Sequence, residues 1–223
     1  MINNYLALGG CRDVRLLFDA LKFVSSLLIH RKFAWEFIAA QGVEKLLRVN
    51  RLSMASTGVA TCLYYLAYSK DIMEKVCHLS DSVLSEMVDY ALWLLDYSYE
   101  SGRSAAAMFF VYALQFRTVL QRFDQRDGMR RMFNYISTLT ILQQTDEGLD
   151  DEVSDEHMQQ SQATVKNALG AFHSYLSSRL FLKMEHLAKH SQKYGSQSLS
   201  GDDNVPFPSS FPTSRGHHKT EVR

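Results

Sequence analysis

The sequence predicts an all-α fold, an armadillo-like helical repeat (an α-solenoid) with a disordered C-terminal tail. First, no proline occurs before the last stretch of the chain, which contains Pro206, Pro208 and Pro212. Proline inside a helix removes a backbone hydrogen bond and clashes with the preceding turn, so its absence favours continuous helices. Second, no segment alternates apolar and polar residues as a half-buried strand would.

Third, the sequence repeats itself. The same helix-opening pattern occurs at 42–47 and, 86 residues later, at 128–133, each time beginning with glycine, and a weaker copy begins at Ser82. The two steps are 40 and 46 residues long, the period of armadillo- or HEAT-type units. Such stacks usually serve as extended surfaces that bind other proteins, so the repeat indicates a binding or scaffold role.

Within each unit the pattern predicts a short, a medium and a long helix, as in an armadillo repeat. An apolar helix over 13–29 comes first, with Leu17, Leu21, Val24 and Leu28 at helical spacing. The first unit then has helices over 31–40, 43–49 and 54–69.

The second and third units continue the same order. We expect helices over 71–79 and 81–98, then a long helix over 104–123, and finally one that opens at Gly128 and runs to about 142. The long helix is predicted because its apolar residues recur at helical spacing, namely Phe109, Ala113, Phe116, Leu120 and Phe123.

The last part of the chain changes character twice. Seven of the eleven residues in 146–156 are acidic, which predicts an exposed loop because like charges repel; contact with the basic, amphipathic helix predicted over 161–189 is the alternative. From Ser191 onward serine, glycine, proline and polar residues dominate, and such segments bury too little apolar surface to order. We therefore expect one armadillo-like domain at 1–190, with its acidic loop at 146–156, and a disordered tail at 191–223.

Composition limits the function classes. The 24 basic and 24 acidic side chains balance, and binding to nucleic acid or to an anionic membrane usually needs a basic excess; we expect neither partner. The apolar runs are too short to span a bilayer, and the start of the chain lacks the charged segment of a signal peptide. Three cysteines without CxxC spacing, Cys11, Cys62 and Cys77, predict reduced, buried thiols.

Catalytic and metal-binding motifs are absent from the sequence. It has no GxSxG, GxGxxG, HRD or DFG string, and paired carboxylates such as Asp150–Asp151 fall in the acidic loop. His186 and His190 have the i, i+4 spacing of zinc ligands without a third ligand nearby, so a solvated helix face is the preferred interpretation. We expect no catalytic residue, no cofactor and no metal.

The long helices of armadillo units line a concave groove. The predicted helices 54–69 and 104–123 lack the Trp and Asn with which nuclear-import receptors bind their signals, and Trp35 and Trp93 lie on other helices. Six residues are candidates for a protein-binding groove, Tyr64, Tyr65, Tyr68, Arg103, Gln115 and Arg117. The alternative is that the tyrosines only pack at the junctions between repeats.

Three stretches resemble the armadillo-like region of the Vpr-binding protein (mahjong) family. They are the run from Tyr5 to Val24 that includes Leu8-Gly9-Gly10, the run from Ala60 to Tyr68, and Phe123-Asp124-Gln125-Arg126-Asp127-Gly128 followed by Ile136-Ser137-Thr138-Leu139. The resemblance covers roughly residues 5 to 190.

The resemblance implies a substrate receptor of cullin-4 RING ubiquitin ligases, acting in protein ubiquitination without an active site of its own, in the nucleus and also in the cytoplasm. The family's LisH segment and WD40 propeller are not in this sequence, and neither Trp35 nor Trp93 is followed by the Asp of a WDxR motif. We therefore expect a fragment of a longer product that contacts ligase substrates, whereas regions outside this chain bind the cullin-4 adaptor. An armadillo-type cargo or transport adaptor is the alternative.

Overall fold

The computed structural model describes residues 14–139 and 155–193, and these residues are almost entirely helical with no β-strand among them. In chain order the helices are α1 (Val14–Leu28), α2 (Arg31–Ala39), α3 (Gly42–Leu47), α4 (Ser56–Tyr68), α5 (Lys70–Cys77), α6 (Asp81–Tyr97), α7 (Glu100–Ala113), α8 (Arg117–Gln125), α9 (Gly128–Ser137) and α10 (Asp155–Lys193). The predicted all-α class is confirmed.

The repeated glycines mark a tight turn between two helices. Gln41 and Asp127, each directly before a glycine, adopt the left-handed conformation with φ of 57° and 54°. A Cβ atom on Gly42 would lie 2.6 Å from the Phe37 ring, and one on Gly128 would lie 2.6 Å from the Phe123 ring. The aromatic residue five positions upstream therefore excludes a side chain at the helix start.

The corresponding turn of the middle unit has different residues at these two positions. Cys77 and Ser82 stand where the other units have the phenylalanine and the glycine. A cysteine is much smaller than a phenylalanine, which accounts for the weaker sequence copy at this turn.

The helices form layers of corresponding elements. The helix α4 packs between α1 and α7, and α7 packs between α4 and α10. In the other layers α2 contacts α5, α3 contacts α6, and α6 contacts α9. Corresponding helices of successive units thus lie side by side, an arrangement compatible with a helical repeat.

Polar contacts between the layers recur at the repeat spacing. The buried Cys62 thiol lies 3.5 Å from the Leu21 carbonyl oxygen, 41 positions earlier. Tyr90 lies 41 positions after Val49, and its hydroxyl donates to the Val49 carbonyl oxygen at 3.1 Å. Each bond joins one unit to the next.

Ion pairs fasten the third unit to the second. One face of α6 presents aspartates that pair with arginines of α8, of its C-cap and of α9, namely Asp81 with Arg122, Asp89 with Arg126, and Asp96 with Arg131. Arg126 also donates to the Ser85 hydroxyl at 2.6 Å. Both side chains of the Asp96–Arg131 pair are partly buried, so bulk water screens their attraction less than at an open surface, whereas Asp81 is 86% exposed.

The predicted long helix over 104–123 is wrong. The chain instead forms α7, turns over Leu114–Phe116 and starts α8 at Arg117. Phe116 has extended backbone dihedrals and is buried. The apolar spacing continued across the turn because α7 and α8 both bury a face in the same core, so periodicity alone did not reveal the break.

Two boundaries near the C-terminus also differ from prediction. The helix α10 begins at Asp155, so the last two residues of the predicted acidic loop are helical; acidic residues in a first turn suit the positive end of the helix dipole. The same helix runs to Lys193, three residues beyond the predicted domain end. Residues 140–154 and 194–223, which hold the rest of the loop and tail predictions, lie outside the described residues.

Candidate protein-interaction surface

Four tyrosines gather at the C-terminal ends of α4 and α7. The two helices run in the same direction, because Thr57 lies beside Gly102 near their starts and Tyr68 contacts Tyr112 near their ends. The register of this pairing places the predicted α4 tyrosines against a tyrosine of α7.

The rings form a continuous cluster. Tyr64 lies 4.7 Å from Tyr65, 6.0 Å from Tyr68 and 6.0 Å from Tyr112, measured between ring centroids. Tyr68 approaches Tyr112 edge to face at 5.3 Å. We call Tyr64, Tyr65, Tyr68 and Tyr112 the tyrosine cluster.

The cluster is neither buried nor fully solvated. Tyr68 is 56% exposed, whereas Tyr64, Tyr65 and Tyr112 are half-buried. Loss of solvation raises the pKa of Tyr64, and the neighbouring Tyr112, Tyr65 and Tyr68 raise it further. The Tyr64 hydroxyl therefore stays protonated at neutral pH and can both donate and accept hydrogen bonds.

Tyr112 is the cluster member that the sequence did not single out. Its partners are 44 and 48 positions away in the chain, so only the register between α4 and α7 brings it to them. Tyr112 lies near the end of a buried helix, and the sequence around it does not indicate that it contacts the tyrosines of α4.

Two other predicted residues lie at the same end of the layer as the cluster. Gln115 is in the turn after α7, and its side-chain amide donates to the Val111 carbonyl at 3.4 Å. Arg117 begins α8 and pairs with Glu185 of α10, which Lys189 also approaches at 2.6 Å. These hydrogen bonds and the nearby cations lower the pKa of the Glu185 carboxyl, although burial opposes them.

Arg103 lies elsewhere, near the N-terminal end of α7. Its guanidinium donates to the Leu95 carbonyl at 2.8 Å and to the Thr138 hydroxyl at 2.9 Å. It also lies 4.6 Å from the centre of the Tyr135 ring. The side chain thereby joins α6, α7 and α9, and the structure does not bring it to the tyrosine cluster.

The structure also describes the predicted histidine pair and two of the three cysteines. His186 and His190 lie with ring centroids 4.5 Å apart on the exposed side of α10, and no group of three potential metal ligands occurs within 14–139 and 155–193. Cys62 and Cys77 are buried free thiols, and burial raises the pKa of Cys77 to about 11. Cys11 lies outside the described residues.

Half-exposed tyrosines are suited to protein contacts. Each offers a flat apolar ring and a hydroxyl, so it can cover a partner's side chain and still form a hydrogen bond. In the part of the chain that the structure describes, no helix is long and apolar enough to cross a membrane.

The chain is similar in sequence to a protein family and to several known proteins. The family model of the Mahjong helical domain matches residues 1–80. A Caenorhabditis elegans protein named "DDB1- and CUL4-associated factor homolog 1" is 44% identical over 94% of this chain, and Drosophila melanogaster "Protein mahjong" is 40% identical over 82% of it. An Arabidopsis thaliana "DDB1- and CUL4-associated factor homolog 1" is 39% identical over 52% of this chain.

The aligned part is a small share of each relative. It covers 12% of the C. elegans and Drosophila proteins and 6% of the Arabidopsis protein. The likeness therefore concerns one helical region of proteins several times longer. By the family model and by identity over most of its length, the chain carries the helical region of the mahjong family.

Proposed function

We propose that this chain is a non-catalytic protein-interaction scaffold within a substrate receptor of a cullin-4 RING ubiquitin ligase. The observation that carries the proposal is the identity of 44% to a relative whose name associates it with DDB1 and CUL4. Since the alignment covers 12% of that relative, binding of the ligase adaptor is assigned to other regions, and this chain contacts the proteins to be ubiquitinated.

The contact surface in this proposal is the tyrosine cluster together with Gln115 and Arg117. Aromatic and arginine side chains are enriched at protein interfaces. The tyrosine cluster lies on α4 and α7, two helices of the layer in which α1, α4, α7 and α10 pack in a row. A partner segment lying across this row would touch two units at once.

The proposed location is the nucleus, with some of the protein in the cytoplasm. Imaging of the endogenous product by antibody staining tests this point. Staining confined to the cytoplasm would contradict it.

Affinity capture tests the function. The tagged chain is incubated with nuclear extract, and captured proteins are identified by mass spectrometry. We expect that a substantial part of the captured set accumulates in cells when cullin-4 is depleted, because a ligase substrate is degraded less without its ligase. Capture of nuclear transport receptors alone would favour a cargo adaptor and would overturn the ligase assignment.

A variant pair tests the surface. Replacing Tyr64, Tyr68 and Tyr112 together by alanine should remove most of the captured proteins. Phe133→Ser is the matched control, because Phe133 is an aromatic residue of α9 that is 60% exposed and lies outside the cluster. Equal capture by the two variants, both folded by circular dichroism, would exclude the cluster as the contact surface.

A further inference from the structure

A second surface feature lies at the opposite end of α4 and α7 from the tyrosine cluster. The turn between α3 and α4 and the turn between α6 and α7 enclose a cleft of about 370 Å³. A 13-residue helix such as α4 is roughly 20 Å long, so the cleft and the cluster are separate sites.

The cleft wall is apolar and open to solvent. Leu52 is 85% exposed, and Tyr97 and Tyr99 are each 70% exposed; all three line the cleft. The ring of Trp93 forms a further part of the wall, 5.7 Å from that of Tyr97. Exposed apolar residues gathered around one concavity favour a binding site over random surface exposure.

The cleft also contains Arg51, for which the described residues provide no acidic partner. Several other arginines of the described residues form ion pairs with carboxylates, among them Arg31, Arg117, Arg122, Arg126, Arg130, Arg131 and Arg179. Within 14–139 and 155–193, Arg51 has no ion pair; its guanidinium carbon lies 4.9 Å from the centre of the Tyr90 ring. Stacking on a ring fixes the guanidinium in place and leaves its charge available.

We propose that this cleft binds an acidic linear peptide of a partner protein. The peptide would place one large apolar side chain against Trp93, Tyr97 and Leu52. An adjacent carboxylate would accept hydrogen bonds from the Arg51 guanidinium. Charge complementarity selects an acidic sequence, and the apolar wall selects one that is also hydrophobic.

Fluorescence anisotropy on the purified whole chain tests the proposal. The probe is a capped, fluorescein-labelled peptide of sequence Asp-Glu-Phe-Leu-Asp-Glu. We expect saturable binding that weakens as salt rises, since salt screens the ion pair. Two control peptides should each bind about tenfold more weakly or not at all. Lys-Lys-Phe-Leu-Lys-Lys lacks the carboxylates, and Asp-Glu-Ala-Ala-Asp-Glu lacks the large apolar side chains.

Variants localise the binding. Arg51→Gln should weaken the acidic peptide about tenfold, and Arg48→Gln is its matched control, an exposed arginine three residues away that does not line the cleft. Tyr97→Ser, at an exposed position where folding is little affected, tests whether the apolar wall contributes to the affinity for the acidic peptide. If Arg48→Gln lost as much affinity for the acidic peptide as Arg51→Gln, the attraction would be non-specific electrostatics. That result would overturn the proposal.

Other occupants give different results. Neutralising Asp150, Asp151 and Glu152 should leave peptide affinity unchanged; a rise would assign the cleft to this chain's own acidic segment instead of a partner. Binding that disappears as the chain dimerises at higher concentration would assign it to a second copy. The measurement uses neither ligase subunits nor extract, so its failure leaves the proposed function standing.

Discussion

At the scale of single residues, a ring and a glycine define the turn that repeats along the chain. Phe37 and Gly42 are separated by the same five positions as Phe123 and Gly128, and in both turns the ring occupies the space of a glycine side chain. The two rings differ in their freedom to move. Phe123 is fully buried and contacts the rings of Phe110 and Tyr175 at 5.0 and 5.6 Å.

Adding a methyl group at these glycines should therefore destabilise the fold. We expect Gly128→Ala to lower the free energy of unfolding by about 1–3 kcal/mol, the usual cost of overpacking. Gly42→Ala should cost less, because among the described residues Phe37 has one ring contact, with the partly buried Phe33. Urea denaturation measures both. Ser82→Ala is the control from the middle unit, and a loss there as large as in Gly128→Ala would contradict this account.

Two buried tyrosines provide a matched pair for measuring one hydrogen bond. The Tyr90 hydroxyl donates to the Val49 carbonyl, whereas the buried Tyr135 hydroxyl has no partner among the described residues. Burial is the main cause that raises the pKa of both, to about 12 for Tyr135.

We expect Tyr90→Phe to cost about 1–2 kcal/mol, because it leaves a buried carbonyl oxygen unpaired. Tyr135→Phe should change stability by less than about 0.5 kcal/mol, since no hydrogen bond is lost. Thermal and urea unfolding of the two variants provide the comparison. Equal losses would show that the Val49 contact contributes nothing specific.

At the scale of elements, charge pairing sets how the third unit sits on the second. The aspartates of α6 occur seven or eight positions apart, so they share one helix face. That face meets Arg122 of α8, Arg126 at the C-cap of α8, and Arg131 of α9. An apolar interface alone tolerates small sliding, whereas a row of ion pairs specifies one register.

A double-mutant cycle on Arg126 and Asp89 should reveal this coupling. Asp89 is 43% exposed, so solvent screening limits the coupling energy to about 0.5–1 kcal/mol, and it should fall as salt is added. The control cycle uses Arg130→Ala and Asp127→Asn, a more exposed pair within one helix turn, for which we expect a smaller value. Equal coupling in both cycles would remove the case for a register role.

At the scale of the whole molecule, position in the stack determines how well a helix is covered. The helices α4 and α7 each have a neighbour on both sides within their layer. In contrast, α1 keeps Leu16 and Phe23 at least half exposed, and the outer face of α10 exposes Leu169, Leu180 and Leu187 to a similar degree.

Amide hydrogen exchange should follow this order. We expect the slowest exchange in α4 and α7, intermediate rates in α1, and the fastest rates in α10 beyond Lys183, because opening a helix that is covered on both sides exposes more apolar surface. Mass spectrometry of peptic fragments resolves these segments. Protection of residues 183–193 equal to that of α4 would contradict a stability gradient along the stack.

Local sequence patterns were sufficient to predict the all-helical class, the repeated helix starts at Gly42 and Gly128, and the α4 tyrosines as candidates for a surface. Each of these depends on local chemistry: proline is excluded from helices, the glycine-led helix start recurs in the sequence, and helical spacing is visible in a short window. These signals survive without knowledge of the neighbouring helices.

Three features depend on how the helices pack and were not predicted from the sequence: the turn at Leu114–Phe116, the contact of Tyr112 with the cluster, and the contacts of Arg103 with three helices. The same holds for the cleft, in which Arg51 and Trp93 approach from different units. The physical reason is that a buried face satisfies the same apolar pattern in one long helix or in two packed ones, and contacts across about 40 positions depend on how helices align in space.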